Sequence, residues 1–291
     1  YCPCYPTSCC PVNAVAIVPE FIRGMLLGDK DDNVYVMAYG PCSLNYKDIS
    51  LRLNTLYPFR NSAKIEINCN KAFSVNLKVP KWSKGFNVKV NEKTENITLD
   101  NNGFIKIERA WEKGDVIEIS FEAKPEVIHV DDSDYAKKYP LAIKYGALLF
   151  SYHIPEIWTP IKGYPETPLP EGWNWYNVTP YYEQADDEDI NNRLALRREQ
   201  FTWNVALDEN LKSEDITVEQ IDENGYVWSN PIIKLHTHCY KAPYSHPIHT
   251  VKVFEPFCDY QYVTKKIPLV LEPYGCTNLR ITYFPKAKLD K

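Results

Sequence analysis

The sequence predicts a mainly β protein: an antiparallel β-sandwich followed by a second β-rich region, entered through one helix. Three observations predict it. Between residues 33 and 121 apolar and polar residues alternate in short runs, the period of a half-buried strand. The clusters "FRNS", "KWSKG", "DNNG" and "EKGD" punctuate those runs with turn-forming residues. A clear helical period occurs before residue 185 only in "PVNAVAIVPEFIRGMLLG", where Val15, Val18, Ile22 and Met25 fall on one face.

That helix comes first. Pro11 suits a first-turn position, where its missing N–H costs nothing. Pro19 is expected to kink the helix and Gly28 to stop it. The strands follow. Val34 and Val36 alternate with Tyr35 and Met37, and Ile49, Leu51 and Leu53 with polar neighbours. Ile65 and Ile67, then Phe73, Val75, Leu77 and Val79, then Val88 and Val90 continue the pattern. Ile105 and Ile107, and finally Ile117, Ile119 and Phe121, complete it. The charged run 131–138, "DDSDYAKK", reads as a surface connection. A second β-rich region opens at "LAIKYGALLFSYHI", with further strands expected over 227–240 and 250–254. "IPLVLEPYGCTNLRITYFP" near the C-terminus reads as two more strands.

Composition bounds the function. The chain has 291 residues, 44% hydrophobic and 24% charged, ordinary values for a globular protein. A net charge of −5 gives no footprint for nucleic acid. No apolar run reaches the length of a membrane span. The chain opens on Tyr1 rather than Met and shows no signal peptide, so a fragment of a longer protein is expected. Tyr (21) and Trp (7) are abundant, which accompanies both carbohydrate binding and β-rich cores.

The nine cysteines are an odd number, and four of them lie within the first ten residues: Cys2, Cys4, Cys9 and Cys10. The rest, Cys42, Cys69, Cys239, Cys258 and Cys276, are scattered and read as buried thiols in a reducing compartment, the cytoplasm. The adjacent pair in "YPTSCCPVN" stands at the mouth of the helix. Adjacent cysteines close a strained ring if they bond to each other. Each therefore has a distant partner, or the pair does chemistry as thiolates; two buried structural thiols are the plain alternative.

Two other clusters invite function. "HTHCYKAPYSHPIH" brings together His236, His238, Cys239, His246 and His249, a set that could ligate zinc but fits no finger spacing. A histidine-rich hairpin is the simpler reading. The loop carrying Trp173, Trp175 and Tyr176 could stack on sugar rings or pack across a sandwich.

A run of local patterns adds a resemblance. "SCCPVN" precedes the helix and "VYVMAYGPCSL" follows it; "YPFRNSAKIEI" leads into "FSVNLKVPKWS". "VKVN", "GFIKIERAWEKGDVIEISF", "YPLAIKYGALLFSY" and "EPYGCTNLRITYFP" come after, in that order. In this order the chain resembles the C-terminal portion of glycoside hydrolase family 127, the β-L-arabinofuranosidase-like enzymes.

The resemblance implies a helical (α/α)6 barrel followed by two β-sandwich domains, jelly-roll-like. Residues 1–30 would then be the end of the barrel with the Cys-Cys motif. Residues 31–135 plus 265–291 would form β-sandwich I, and 136–264 an inserted β-sandwich II. It further implies a retaining hydrolase of β-L-arabinofuranosides or related plant-derived sugars, with zinc as cofactor. Cys9 would be the nucleophile and a zinc ligand, and Cys10 a second zinc ligand. Asn13 would support the loop that holds them. The family pattern runs Cys-Cys-Pro-x-Asn-x-x-Arg; this chain keeps Asn13 but carries Ala16 at the arginine position, and Thr7 where a sugar-contacting histidine is often found. The family's remaining zinc ligands and its acid/base glutamate lie upstream of this motif.

The partners expected are a carbohydrate substrate and, through the β-sandwich domains, a second copy of the chain in a homodimer; neither nucleic acid nor membrane is expected. The alternative is a non-catalytic β-sandwich module for carbohydrate binding or subunit assembly.

Overall fold

The computed structural model describes residues 9–130, 140–160, 176–180, 205–241 and 265–287; of residues 9–15 and 177–180 it describes the backbone alone. The chain divides into two compact units, Tyr1–Lys124 and Pro125–Lys291.

Unit 1 opens with α1 (Cys9–Met25), which runs through Pro19 and ends before Gly28. The chain passes directly into β1 (Leu26–Gly28), so Gly28 is a strand residue paired with Val34 and not the helix stop. A glycine after a helical run is a common terminator, but here strand pairing ends the helix three residues earlier.

The strands of unit 1 follow the predicted alternation. They are β2 (Asn33–Val36), β3 (Cys42–Tyr46), β4 (Ile49–Asn54), β5 (Ser62–Ile67), β6 (Lys71–Lys78), β7 (Gly85–Val90), β8 (Lys93–Thr94), β9 (Phe104–Trp111) and β10 (Val116–Glu122). Two sheets result, one ordered β1-β2-β6-β9 and the other β3-β4-β5-β10-β7-β8. All pairs are antiparallel except β2 with β6. The apolar faces of both sheets meet in one core that includes Val34, Leu51, Ile65, Val75, Ile107 and Ile117. Register keeps that face continuous: Ile117 lies opposite both Ile65 and Val90. Trp111 is buried, and its indole N–H donates to the Phe73 carbonyl at 3.0 Å. A buried indole is thus satisfied without water.

Unit 2 contains β11 (Pro125–His129), β12 (Leu141–Tyr145), β13 (Leu148–His153), β14 (Glu156–Pro160), β15 (Tyr176–Pro180), β16 (Val205–Asp208), β17 (Thr217–Gln220), β18 (Ile233–Lys241), β19 (Lys265–Pro273), β20 (Arg280–Ile281) and β21 (Lys286–Ala287). A nine-stranded sheet runs β11-β12-β13-β19-β18-β16-β21, with β17 beside β18 and β20 beside β13. β14 and β15 form a separate two-stranded ribbon. Leu141, Ile143, Phe150, Leu235, Leu271 and Phe284 are among the buried residues of unit 2.

The C-terminal strands correct the expected topology. Residues 265–287 do not return to unit 1. β19 pairs with β18 along Lys265–Leu271 and with β13 at its end, and Ile281 pairs with Tyr152. Leu141 and Phe284 exchange backbone hydrogen bonds, and the Ser151 and Thr282 hydroxyls meet at 2.8 Å in the interior. The inserted arrangement of 31–135 plus 265–291 around 136–264 is therefore replaced by two consecutive units with a boundary at 124/125. Alternation says which face of a strand is buried; it does not say which neighbour the strand will pair with. The charged run 131–138 and the predicted strand 250–254 lie outside the described residues.

Candidate functional site

Cys9 and Cys10 are the first two residues of α1 as described, and Asn13 lies in its first turns; their side chains lie outside the described residues, as do Cys2, Cys4 and Thr7. What the backbone fixes is the setting. The opening turn of a helix carries unpaired N–H groups and a partial positive charge, which favours thiolate over thiol. The first turn of α1 holds no acidic residue to oppose that effect. Ala16, at the position of the family's arginine, is exposed.

The far end of α1 is pinned to unit 1. The amides of Met37 and Ala38 both donate to the Met25 carbonyl, at 2.8 and 3.4 Å. Met25 and Leu26 are buried. Gly40 leaves room for the Met25 side chain: a Cβ there would lie 2.7 Å from Met25 Cε. The middle of the helix is different. Ile17, Val18, Phe21 and Ile22 are 66, 58, 56 and 51% exposed. Spaced i, i+1, i+4 and i+5, they form one apolar strip, of the kind a helix normally buries against another element.

The zinc reading meets a partial donor set. Two cysteines are donors of the right chemistry, but a closed zinc site needs four ligands. Among the described residues no three or more His, Cys, Asp or Glu come together to hold a metal. The histidine cluster does not supply one. On β18, His236 and His238 point to the open face, while Cys239 is fully buried on the other. Alternation along the strand separates the thiol from the imidazoles. The His236 ring is taken by Glu219 of β17, with Nε2 2.6 Å from Oε2. His246 and His249 lie outside the described residues.

The remaining described cysteines, Cys42, Cys69, Cys239 and Cys276, are free thiols. Burial pushes the Cys239 thiol up to about 12, and burial together with the nearby Glu272 carboxylate pushes Cys276 up to about 11. Such thiols are poor nucleophiles and poor metal ligands at neutral pH.

Unit 2 also carries a charged cluster that sequence reasoning missed. His153 on β13 lies between two carboxylates: Nδ1 is 3.2 Å from Glu272 Oε2, and Nε2 is 3.4 Å from Glu156 Oε1. Lys234 on β18 pairs with the other Glu272 oxygen at 2.8 Å. No local pattern announces this group, because its members come from four strands. On unit 1 the outer face of β5, β10 and β7 forms a shallow depression of about 380 Å³, lined by Arg60, Lys64, Asn87, Lys89 and Glu118 among others. Trp173 and Trp175, candidates for sugar stacking, lie outside the described residues.

Unit 1 is a β-sandwich to which a helix bearing a cysteine pair is hydrogen-bonded at one end. Residues 33–123, nearly the whole of that sandwich, match the family model "Beta-L-arabinofuranosidase, GH127 middle domain". The resemblance to glycoside hydrolase family 127 read from the sequence is thereby shown. Solved structures share the fold. One described as a glycoside hydrolase superposes with a TM-score of 0.60 at 17% identity, covering 97% of this chain and 40% of its own. The GH127 β-L-arabinofuranosidase Ara127N from Geobacillus stearothermophilus T6 gives 0.59 at 16% identity, covering 97% and 38%. The GH127 β-arabinofuranosidase BT3674 gives 0.61 at 18%, covering 98% and 39%. The chain thus spans about two fifths of the length of the solved structures it matches. No curated protein matches the sequence. Among the described residues no helix is long and apolar enough to cross a membrane.

Proposed function

We propose that the whole protein is a retaining glycoside hydrolase of β-L-arabinofuranosides or related plant-derived sugars. In this reading Cys9 is the nucleophile and, with Cys10, would hold a zinc ion. The observation that carries it is the position of the pair. The cysteines open a helix whose other end is hydrogen-bonded into the sandwich that matches the GH127 model. The exposed strip Ile17, Val18, Phe21 and Ile22 supports the same reading, since the last helix of a helical barrel would bury such a strip against its neighbours.

The chemistry follows from the thiolate. Bound zinc would lower the thiol pKa, so that the nucleophile is formed at neutral pH. The Cys9 sulfur bonds to the anomeric carbon as the glycosidic C–O bond breaks, and the leaving oxygen takes a proton from a general acid, which the family resemblance puts upstream of the cysteine motif. Water then displaces the sulfur from the opposite face, and two inversions give net retention. Asn13, within the first turns of α1, supports the backbone around the pair. Ala16 and Thr7 remove two polar side chains from the family pattern, so sugar specificity differs from members that carry arginine and histidine there.

The test is turnover of an aryl β-L-arabinofuranoside by the whole protein, with zinc measured per chain. Cys9→Ser abolishes turnover, because a hydroxyl stays protonated at neutral pH and ligates zinc poorly. Cys10→Ser loses zinc affinity and regains part of its activity in excess zinc. Full activity in both variants would show that the pair is structural.

A further inference from the structure

Unit 2 presents an exposed tryptophan whose ring is held at its N–H edge by a nearly buried carboxylate. Trp158 on β14 is 51% exposed, and its indole N–H donates to Glu156 Oε2 at 2.9 Å. The Asn278 amide nitrogen donates to the same oxygen at 3.3 Å, and the Leu279 backbone amide to Oε1 at 2.8 Å. The Glu156 side chain is only 7% exposed. Placing a carboxylate there costs free energy unless its lone pairs are filled, and here three donors fill them. One consequence is that the indole has a fixed orientation although half of it faces water.

The ring has a second wall. Tyr176 on β15 lies 5.8 Å from Trp158, centroid to centroid, at an interplanar angle of 70°. Trp158 is opposite Val178 in the ribbon, which makes Tyr176 its diagonal neighbour on the same face. Tyr176 is 43% exposed. Asn278 is exposed as well, and its Oδ1 accepts no hydrogen bond among the described residues. Two other exposed rings of unit 2 are already engaged. The Arg280 guanidinium sits 3.7 Å over Tyr274, and Trp228 covers Gly275, where a Cβ would lie 2.5 Å from its ring.

We propose that Trp158, Tyr176 and Asn278 form a binding site for a neutral saccharide. A sugar ring offers an apolar C–H face and a rim of hydroxyls, and the site offers the complement of both. The C–H face stacks on the fixed indole, Tyr176 closes one side, and Asn278 Oδ1 accepts from a hydroxyl at the rim. The charge pattern excludes an anionic sugar. Glu156 carries a negative charge at the N–H edge of the indole, and the Arg280 guanidinium is occupied by the carbonyls of Thr277 and Asn278. A wholly apolar partner would leave the Asn278 amide oxygen buried without a donor, at a cost that a hydroxyl-bearing ligand avoids. Pre-setting an aromatic ring lowers the ordering cost of binding, so a two-ring site can hold one or two sugar units.

The proposal rests on the carbohydrate reading above only for the choice of probe. The experiment is native gel electrophoresis of the 291-residue chain through gels containing soluble arabinan, xylan or, as an acidic control, polygalacturonate. Wild type is retarded by a neutral polysaccharide and not by the acidic one. Trp158→Ala, with an unchanged far-ultraviolet circular dichroism spectrum, weakens retardation about tenfold, the size expected when one aromatic contact is removed. Trp158→Phe keeps the stacking face and most of the retardation, and Asn278→Ala loses part of it. Equal retardation of wild type and Trp158→Ala, or none of wild type in any neutral gel, overturns the proposal. Hydrolysis of a small aryl arabinofuranoside by the whole protein does not need Trp158. A failure of hydrolysis with retardation intact therefore counts against the catalytic reading alone.

Discussion

The Tyr46 ring occupies the space where a side chain on Gly28 would begin: a Cβ built at Gly28 would lie 2.4 Å from Tyr46 Cδ1 and 2.9 Å from Cγ. The two residues belong to different sheets, β1 and β3, and the Tyr46 hydroxyl continues to the Asp29 carbonyl at 3.1 Å. This contact helps hold the strand that receives α1. Gly28→Ala is expected to destabilise unit 1 by about 1–3 kcal/mol, because a ring attached near its clashing atom cannot swing clear. Chemical denaturation followed by fluorescence measures it. Gly28→Ala combined with Tyr46→Ala should cost less than the sum of the two single changes; strict additivity would mean that the clash is absent.

Acid should act on unit 2 through Glu156. Burial pushes this carboxyl up, but the Leu279 amide, the Asn278 amide and the Trp158 indole together outweigh it and hold the group below its ordinary 4.5. Its folded pKa is thus lower than its unfolded one. The stability it contributes is fully present above about pH 4.5 and is lost as pH falls through the folded value. Glu156→Gln should be less stable than wild type at neutral pH, and the gap should narrow under acid. A constant gap from pH 7 to 3 would show that the carboxylate contributes nothing as a charge.

Cys239 is expected to resist alkylation. Its side chain is fully buried on β18, and burial pushes its thiol up to about 12. Iodoacetamide at neutral pH should label the peptide containing Cys239 only after denaturant is added. Rapid labelling in the native protein would contradict the placement of that face of β18 in the interior.

Much of unit 1 was legible from residue order alone. Ile65, Ile67, Ile117 and Ile119 alternate in the sequence, and all four are buried. The reason is local: a period of two fixes the face of a strand before any partner is chosen. Partner choice was not legible. Leu269 and Leu271 alternate equally well, yet nothing in their run says that β18 and β13 will flank them. The domain boundary was misplaced for a related reason. The charged run 131–138 looked like a connection, while Pro125 already opens a strand of unit 2. The position of the cysteine pair at the opening of α1 was legible, because pair and helix are adjacent in the chain. The Glu156–Trp158–Asn278 group was not, since Asn278 is 122 residues from Glu156 and meets it only through the fold.

The proposed mechanism requires the Cys9 sulfur to form a bond to the sugar. The direct measurement is the peptide mass of the whole, zinc-loaded protein after trapping with a mechanism-based β-L-arabinofuranosyl inhibitor. A mass gain of one pentosyl-derived group is expected on the peptide containing Cys9, and none in Cys9→Ser, which is also inactive. The same gain on a peptide whose modified residue is Asp or Glu, with Cys9→Ser still active, would contradict it and assign the reaction to a pair of carboxylates.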